Sequence, residues 1–166
     1  MINIRSASKD DIELINTLAK EIFDYTYGPI LSPEQVEFMF DMMYAPHNIE
    51  RQMDCGHRYY IAQRGGEPVG YVSILELSKS HYRIEKIYTL PSVHGGGVGR
   101  ALFNFACDNA KASSSVGECL LELNVNRHNE RAIRFYTKMG MRADRRTDEH
   151  VGNGFYANDF VMAINL

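Results

Sequence analysis

No run of apolar residues in this 166-residue chain approaches the roughly 18 that a membrane-spanning helix needs, so the sequence predicts no membrane partner. Residues 1–20, MINIRSASKDDIELINTLAK, lack the uninterrupted apolar core and the small-residue cleavage site of a secretory signal, which predicts no export. A basic surplus is missing as well. Against 18 Lys and Arg stand 21 Asp and Glu, a net charge of -3, without the cationic footprint of a nucleic-acid binder. Cysteine is scarce: Cys55, Cys107 and Cys119 are far apart and form no Cys-x-x-Cys pair. That predicts neither a disulfide framework nor a zinc or other metal site, and a reducing cytoplasm as the setting. Cys107 and Cys119 lie in apolar segments and are expected to pack as small hydrophobes. With no repeat, low-complexity tract or linker, the chain reads as one domain, 1–166.

What is present is a regular change of hydrophobic period. Asn3 to Arg5 suits a first strand, and Ser8-Lys9-Asp10-Asp11 has the serine and acid spacing of a capping box. The helix it opens carries Ile12, Ile15, Leu18, Ala19 and Ile22 on one face. A second helix starts at Ser32-Pro33 with Gln35 to close its box, runs through Val36, Phe38, Met39, Phe40 and Met43, and is ended by Ala45-Pro46. Arg58 to Arg64, then Gly65-Gly66, then Val69 to Leu75 predict a hairpin, and Tyr82 to Leu90 a third antiparallel neighbour. From Gly97 the period is helical, with Leu102, Phe105, Ala106 and Asn109; Cys119 to Val125 returns to strand. Asn129 to Met139 is helical again, capped by Gly140, before strands at Met141 to Arg146 and Asp159 to Ile164. The sum is an α/β sheet of mixed direction.

One stretch carries chemistry on its face. His94-Gly95-Gly96-Gly97-Val98-Gly99-Arg100 takes a strand through glycines into a helix, so backbone N–H groups without intrahelical partners converge on one spot. Glycine lets a phosphate approach closely, and the helix dipole adds a favourable field. A P-loop would need Lys and Ser/Thr after the last glycine, where Arg100-Ala101 stand. A dinucleotide fingerprint would need Gly or Ala at Leu102 or at Arg100, according to where it starts. The remaining alternatives are another pyrophosphate and a glycine turn that merely joins strand to helix.

Here the sequence resembles the GNAT superfamily of N-acetyltransferases, whose pattern Gln/Arg-x-x-Gly-x-Gly/Ala falls on His94 to Gly99, with His94 in place of the first residue. A second element, Asn124-Val-Asn126 through Ala132, Phe135 and Tyr136 to Gly140-Met141, is similar to the family's strand-to-helix segment ending in Tyr-x-x-x-Gly-Phe. The two motifs span roughly residues 82 to 142, and the hairpin Gly65 to Leu75 matches family order. The whole-chain pattern, with Ser32-Pro33-Glu34-Gln35 early and Asp159-Phe-Val-Met162 late, resembles bacterial spermidine/spermine-type members. The resemblance implies a mixed, mostly antiparallel central sheet with helices on both faces and a V-shaped split between the coenzyme-pairing strands. It also implies acetyl transfer from acetyl-CoA to a primary amine, by direct attack in a ternary complex.

On that resemblance, backbone groups of Ile87, Tyr88 and Leu90 are candidates to pair with pantetheine like an added strand. Gly95, Gly96, Gly97, Val98, Gly99 and Arg100 would hold the pyrophosphate, Arg100 alternatively being a solvated cation. A backbone N–H at Tyr88 or its neighbour would stabilise charge on the thioester oxygen. Tyr136 is the expected proton donor to the leaving thiolate, against the alternative that it is simply core. Glu85 is the candidate base, against an ordinary acid beside Arg83 and Lys86 or a water chain; His81 is a weaker choice. Asn129 is expected to contact the coenzyme, cap its helix, or both. The acceptor should meet the first two helices and the Ala45–His57 loop, where Phe23, Tyr25, Tyr27, Phe38, Met42, Met43 and Tyr44 lie near Asp24, Glu34, Glu37 and Asp41. A polyamine, a peptide N-terminus and an aminoglycoside all fit that description. A non-catalytic acetyl-CoA sensor, or a dimeric interaction domain assembled through Gly152 to Tyr156, stands beside the enzyme reading. A homodimer is common in the resembled family, and nothing in the sequence demonstrates it.

Overall fold

The computed structural model describes residues 1–166. Seven strands form one sheet: β1 (Ile2–Ser6), β2 (Arg58–Arg64), β3 (Glu67–Ser78), β4 (His81–Thr89), β5 (Leu120–Asn126), β6 (Arg142–Gly152) and β7 (Phe155–Asn165). Their spatial order is β1-β2-β3-β4-β5-β7-β6. Every adjacent pair is antiparallel except β4 and β5, which are parallel and joined through helix α4 (Val98–Ser113). A strand–helix–strand crossover is what a parallel pair requires. Helices α1 (Ile12–Tyr27), α2 (Pro33–Tyr44) and α3 (Pro46–Asp54) cover one face of the sheet; α4 and α5 (Glu130–Lys138) cover the other.

Local chemistry accounts for most element ends. The Ser8 box forms as expected, with the Ser8 N–H donating to Asp11 Oδ2 at 2.9 Å ahead of a short 3-10 turn and α1. Ser32 caps α2 by accepting from the Gln35 N–H at 3.2 Å. The expected box there stays open, because the Gln35 amide reaches across to donate to the Tyr156 carbonyl at 2.9 Å. Pro46 ends α2 at Tyr44 but also opens α3, in the stretch expected to be a loop: a proline fits the first turn of a helix, where its missing N–H has no bond to make. The last two strands are longer than expected. They run together to a two-residue turn at Asn153-Gly154, both at positive φ (52° and 76°), the geometry that favours Asn-Gly in tight hairpins.

Two cores result. Under α4 and α5 lie Val72, Ile74, Tyr82, Ile84, Leu102, Phe103, Leu121 and Leu123, with Cys107 and Cys119 packed as the small hydrophobes expected. Under α1 to α3 lie Ile15, Ala19, Ile22, Phe23, Tyr44, Ile49, Tyr59, Ile61 and Tyr71. Strand β4 contributes to both. Its register with β3 passes from Ile84↔Ile74 to Lys86↔Ser73, leaving Glu85 as an extra residue in a β-bulge. Tyr82 and Ile84 therefore face the α4 core, whereas Lys86 and Tyr88 face the α1–α3 core. Pairing of β4 with β5 ends at Ile84↔Leu123, so the two strands part at the bulge. That parting positions the site.

Candidate active site

A cleft of about 1040 Å³ opens where β4 leaves β5, walled by β4, the glycine turn, the start of α4, α5 and the end of α1. At one end, Gly97 takes the left-handed conformation (φ 85°) as N-cap of α4, and no side chain caps that helix. The first bonded amide of α4 is Ala101 N–H, donating to the Gly97 carbonyl at 3.0 Å. The N–H groups of Val98, Gly99 and Arg100 are thereby left open at the positive end of the helix dipole. Gly95 is also left-handed (φ 80°), whereas Gly96 is braced from behind: Arg64 Nη2 donates to its carbonyl at 2.6 Å. A Cβ on Gly96 would meet that guanidinium at 2.5 Å.

Backbone direction along β4 selects which groups face the split. Leu90 N–H is spent on the Val69 carbonyl at 2.9 Å, and alternation along an antiparallel pair turns Tyr88 toward β3 as well. The backbone groups of Ile87 and Thr89 point the other way, into the cleft. Of the three residues expected to pair with an extended ligand, Ile87 is thus the one with free groups, and it is also the neighbour of Tyr88 suited to receive an oxyanion.

Tyr136 lines the cleft from α5 with its ring packed on Phe135 (centroids 5.4 Å apart) and Phe103 (6.4 Å), so it is both core and wall. Burial drives its phenol pKa far above 10.0, which keeps the proton on at neutral pH. Asn129 caps α5, its Oδ1 accepting from the Ala132 N–H at 3.3 Å, and it lines the cleft too. Glu85 is half-buried outside the cleft wall, 3.7 Å from Arg83 Nη1. Burial raises its pKa, and Arg83 and Lys86 oppose that rise. His81 is tied to buried Glu122 at 3.2 Å, beside the Arg83–Glu122 bridge at 2.7 Å.

A sequence model described as the Acetyltransferase (GNAT) family matches residues 16–141. The chain belongs to that family. Over 157 residues, this GNAT chain is 26% identical to an uncharacterised N-acetyltransferase of Mycobacterium tuberculosis, covering 94% of this chain and 98% of the relative. Among solved structures, it superposes on the PaiA N-acetyltransferase of Thermoplasma acidophilum, in complex with coenzyme A, with a TM-score of 0.82 at 21% identity, covering 100% and 99% of the two chains. A spermidine N-acetyltransferase chimera of Vibrio cholerae SpeG and human SSAT matches with a TM-score of 0.69 at 22% identity, over 98% and 94%.

Arg131 and Lys138 of this GNAT chain had no sequence signal strong enough to single them out. Arg131 of α5 donates to the His94 ring, and Tyr25 of α1 packs edge-on against that ring with centroids 5.7 Å apart. His94 thus ties the glycine turn to α5 and α1, and burial and Arg131 together hold its pKa low, as a neutral acceptor. Arg131, Lys138 and Arg100 give the cleft three cations against one lining acid, Asp24. Tyr27 and Tyr88, both on the cleft lining, join hydroxyls at 2.9 Å. Lys86, expected only as a neighbour of Glu85, is buried with its Nζ on Gln52 Oε1 (2.5 Å), the Met43 carbonyl (3.2 Å) and the Tyr59 hydroxyl. No helix is long and apolar enough to cross a membrane.

Proposed function

We propose that this chain transfers acetyl from acetyl-CoA to a primary amine by direct attack in a ternary complex. The observation that carries the reading is the uncapped N-terminus of α4 opening onto a cleft with cationic walls, continuous with the parting of β4 from β5. Open amides and Arg100 suit a pyrophosphate, and the free edge at Ile87 and Thr89 suits the amide groups of pantetheine. The coenzyme A complex of the Thermoplasma relative supports the same use of the fold.

The chemistry then divides among named groups. The amine nitrogen attacks the thioester carbon, the Ile87 N–H stabilises the oxyanion, and collapse breaks the C–S bond. The nitrogen sheds its proton to Glu85 through water, and burial brings that carboxylate closer to the pKa a base needs. Tyr136 meets the departing thiolate as a hydrogen-bond donor, since a phenol so hard to ionise stabilises the anion without surrendering its proton outright. The acceptor is a small amine. A polyamine is the preferred class, supported by the spermidine acetyltransferase neighbour, with a peptide N-terminus as the alternative. The test is a panel of amines followed by thiol release. Turnover with at least one aliphatic amine is expected, and coenzyme binding without turnover across the panel would replace the enzyme with a sensor.

A further inference from the structure

The charged residues walling the cleft are mostly cations, yet a carboxylate stands directly behind one wall. Arg100, Arg131 and Lys138 line the cleft as cations, and exposed Asp24 is the one acid on its lining. Asn124 on β5 lines the wall and donates its Nδ2 to Asp159 Oδ2 on β7 at 3.4 Å, which sets that carboxylate just behind the lining. Asp159 pairs with Asn126, two residues along from the Asn124–Val161 pair, and its charge reaches the hydroxyls of Tyr27 and Tyr88. It is partly buried, yet no ion pair satisfies it: the nearby Arg127 guanidinium is committed to Asp148 Oδ1 at 2.6 Å and to the carbonyls of Thr147 and Asp159. The other charges felt there, Asp148 and Glu149, are acidic. The contrast with Glu122 is direct, since that buried carboxylate is met by Arg83, His81 and Arg145. A carboxylate withdrawn from water costs free energy unless a cation meets it.

We propose that Asp159 determines acceptor specificity, receiving a second cationic group of the acceptor and so selecting diamines over monoamines. The inference rests on the acetyltransferase reading above and names the substrate class of that site. The amine that attacks must be neutral at that moment, so it is a poor partner for a fixed negative charge. A second ammonium on the same molecule stays charged throughout and meets the carboxylate that this fold leaves unpaired. Hairpin β6–β7 holds Asp159 in place there: Phe155 at its tip packs on Phe38 of α2 with centroids 5.5 Å apart, beside the Gln35 bond to Tyr156.

The test compares 1,4-diaminobutane with 1-aminobutane at saturating acetyl-CoA, in the wild type, Asp159→Asn and Asp159→Glu. The wild type should prefer the diamine in kcat/KM. Asp159→Asn should reduce that preference by about 10- to 100-fold, mainly through KM, as expected for losing a charge-assisted hydrogen bond. Asp159→Glu should restore part of it, and coenzyme A affinity in all three should stay within about twofold, which also reports that each variant folds. An unchanged diamine-to-monoamine ratio in Asp159→Asn overturns the proposal, as does equal loss of kcat for both amines. Should the wild type turn over no amine, the enzyme reading falls by itself. Calorimetric titration of 1,4-diaminobutane into the coenzyme A complex then decides Asp159: weaker binding in Asp159→Asn supports the role, and equal binding refutes it.

Discussion

Lys86 is where the electrostatics of the fold are most exposed to measurement. Its amine is withdrawn from water between β4, β2 and the α2–α3 corner, and its hydrogen-bond partners, Gln52, the Met43 carbonyl and Tyr59, are all neutral. Burial lowers its pKa from 10.5 to about 7, with only Glu85 pulling the other way. All three partners accept from Nζ, and the Tyr59 hydroxyl in turn donates to Gln52 Oε1, so no carboxylate offsets the loss of water around the charge. Between about 7 and 10.5 the unfolded chain holds a proton that the folded chain has released, so stability rises with pH through that window and is flat below it. One such group contributes about 1.4 kcal/mol per pH unit, hence about 2 to 3 kcal/mol between pH 7 and pH 9. Urea unfolding of the wild type and Lys86→Met at pH 6, 7, 8 and 9, at constant ionic strength, isolates it. Methionine keeps the length of the stem and removes the titration. The difference in unfolding free energy should stay level from pH 6 to 7 and then climb in favour of the wild type. Curves that remain parallel within about 0.5 kcal/mol across the range would refute a depressed lysine.

Replacing Tyr136 with Phe should lower kcat by about 10- to 100-fold, the worth of a hydrogen bond to a charged group, while coenzyme A titration stays nearly unchanged; undiminished turnover defeats its role. Glu85→Gln should abolish the fall of kcat/KM on the acid side of the pH profile, and a profile that keeps this limb removes Glu85 as the base. Gly97→Ala places a methyl where no atom lies within 4 Å but φ is +85°, so its cost is conformational, about 1 to 2 kcal/mol. Lower thermal stability should come with weaker coenzyme A binding, as the turn relaxes and withdraws its amides. Normal behaviour in both measurements would contradict the strained turn.

The parts of this molecule written in local chemistry were legible from the chain. Ser8, Ser32 and Gly97 mark element starts through their own backbone needs, and the glycine turn displays its open amides without help from tertiary contacts. Pro46 was legible only in part, because the same ring that forbids continuation of α2 permits the start of α3. The Asn153-Gly154 pair carried a hairpin signal that would have given β6 and β7 their full length. The bulge at Glu85 left no trace, since Arg83 to Thr89 reads equally well with or without an extra residue. It decides that Ile87 rather than Tyr88 or Leu90 turns its backbone to the cleft, and that Lys86 goes inside. Asp159 was invisible for a similar reason: its meaning comes from the cations that fail to reach it, and that depends on where Arg127 is spent.

The bulge also constrains how this strand can change. Removing its extra residue would place Lys86 directly after Ile84 and restore a continuous ladder, with Ile84 still opposite Ile74, Lys86 still opposite Ser73 and the side chains from Lys86 to Thr89 on the faces they occupy now. Deleting Ile87 instead would slide Glu85 opposite Ser73 and Lys86 opposite Val72, aiming Lys86 at the apolar packing under α4. Which codon is lost therefore decides the outcome: loss of Glu85 removes the candidate base and keeps the register, whereas loss of Ile87 takes Lys86 from its hydrogen-bond partners and removes the residue whose backbone faces the cleft. Strand β4 is locked in length beyond the bulge rather than at it.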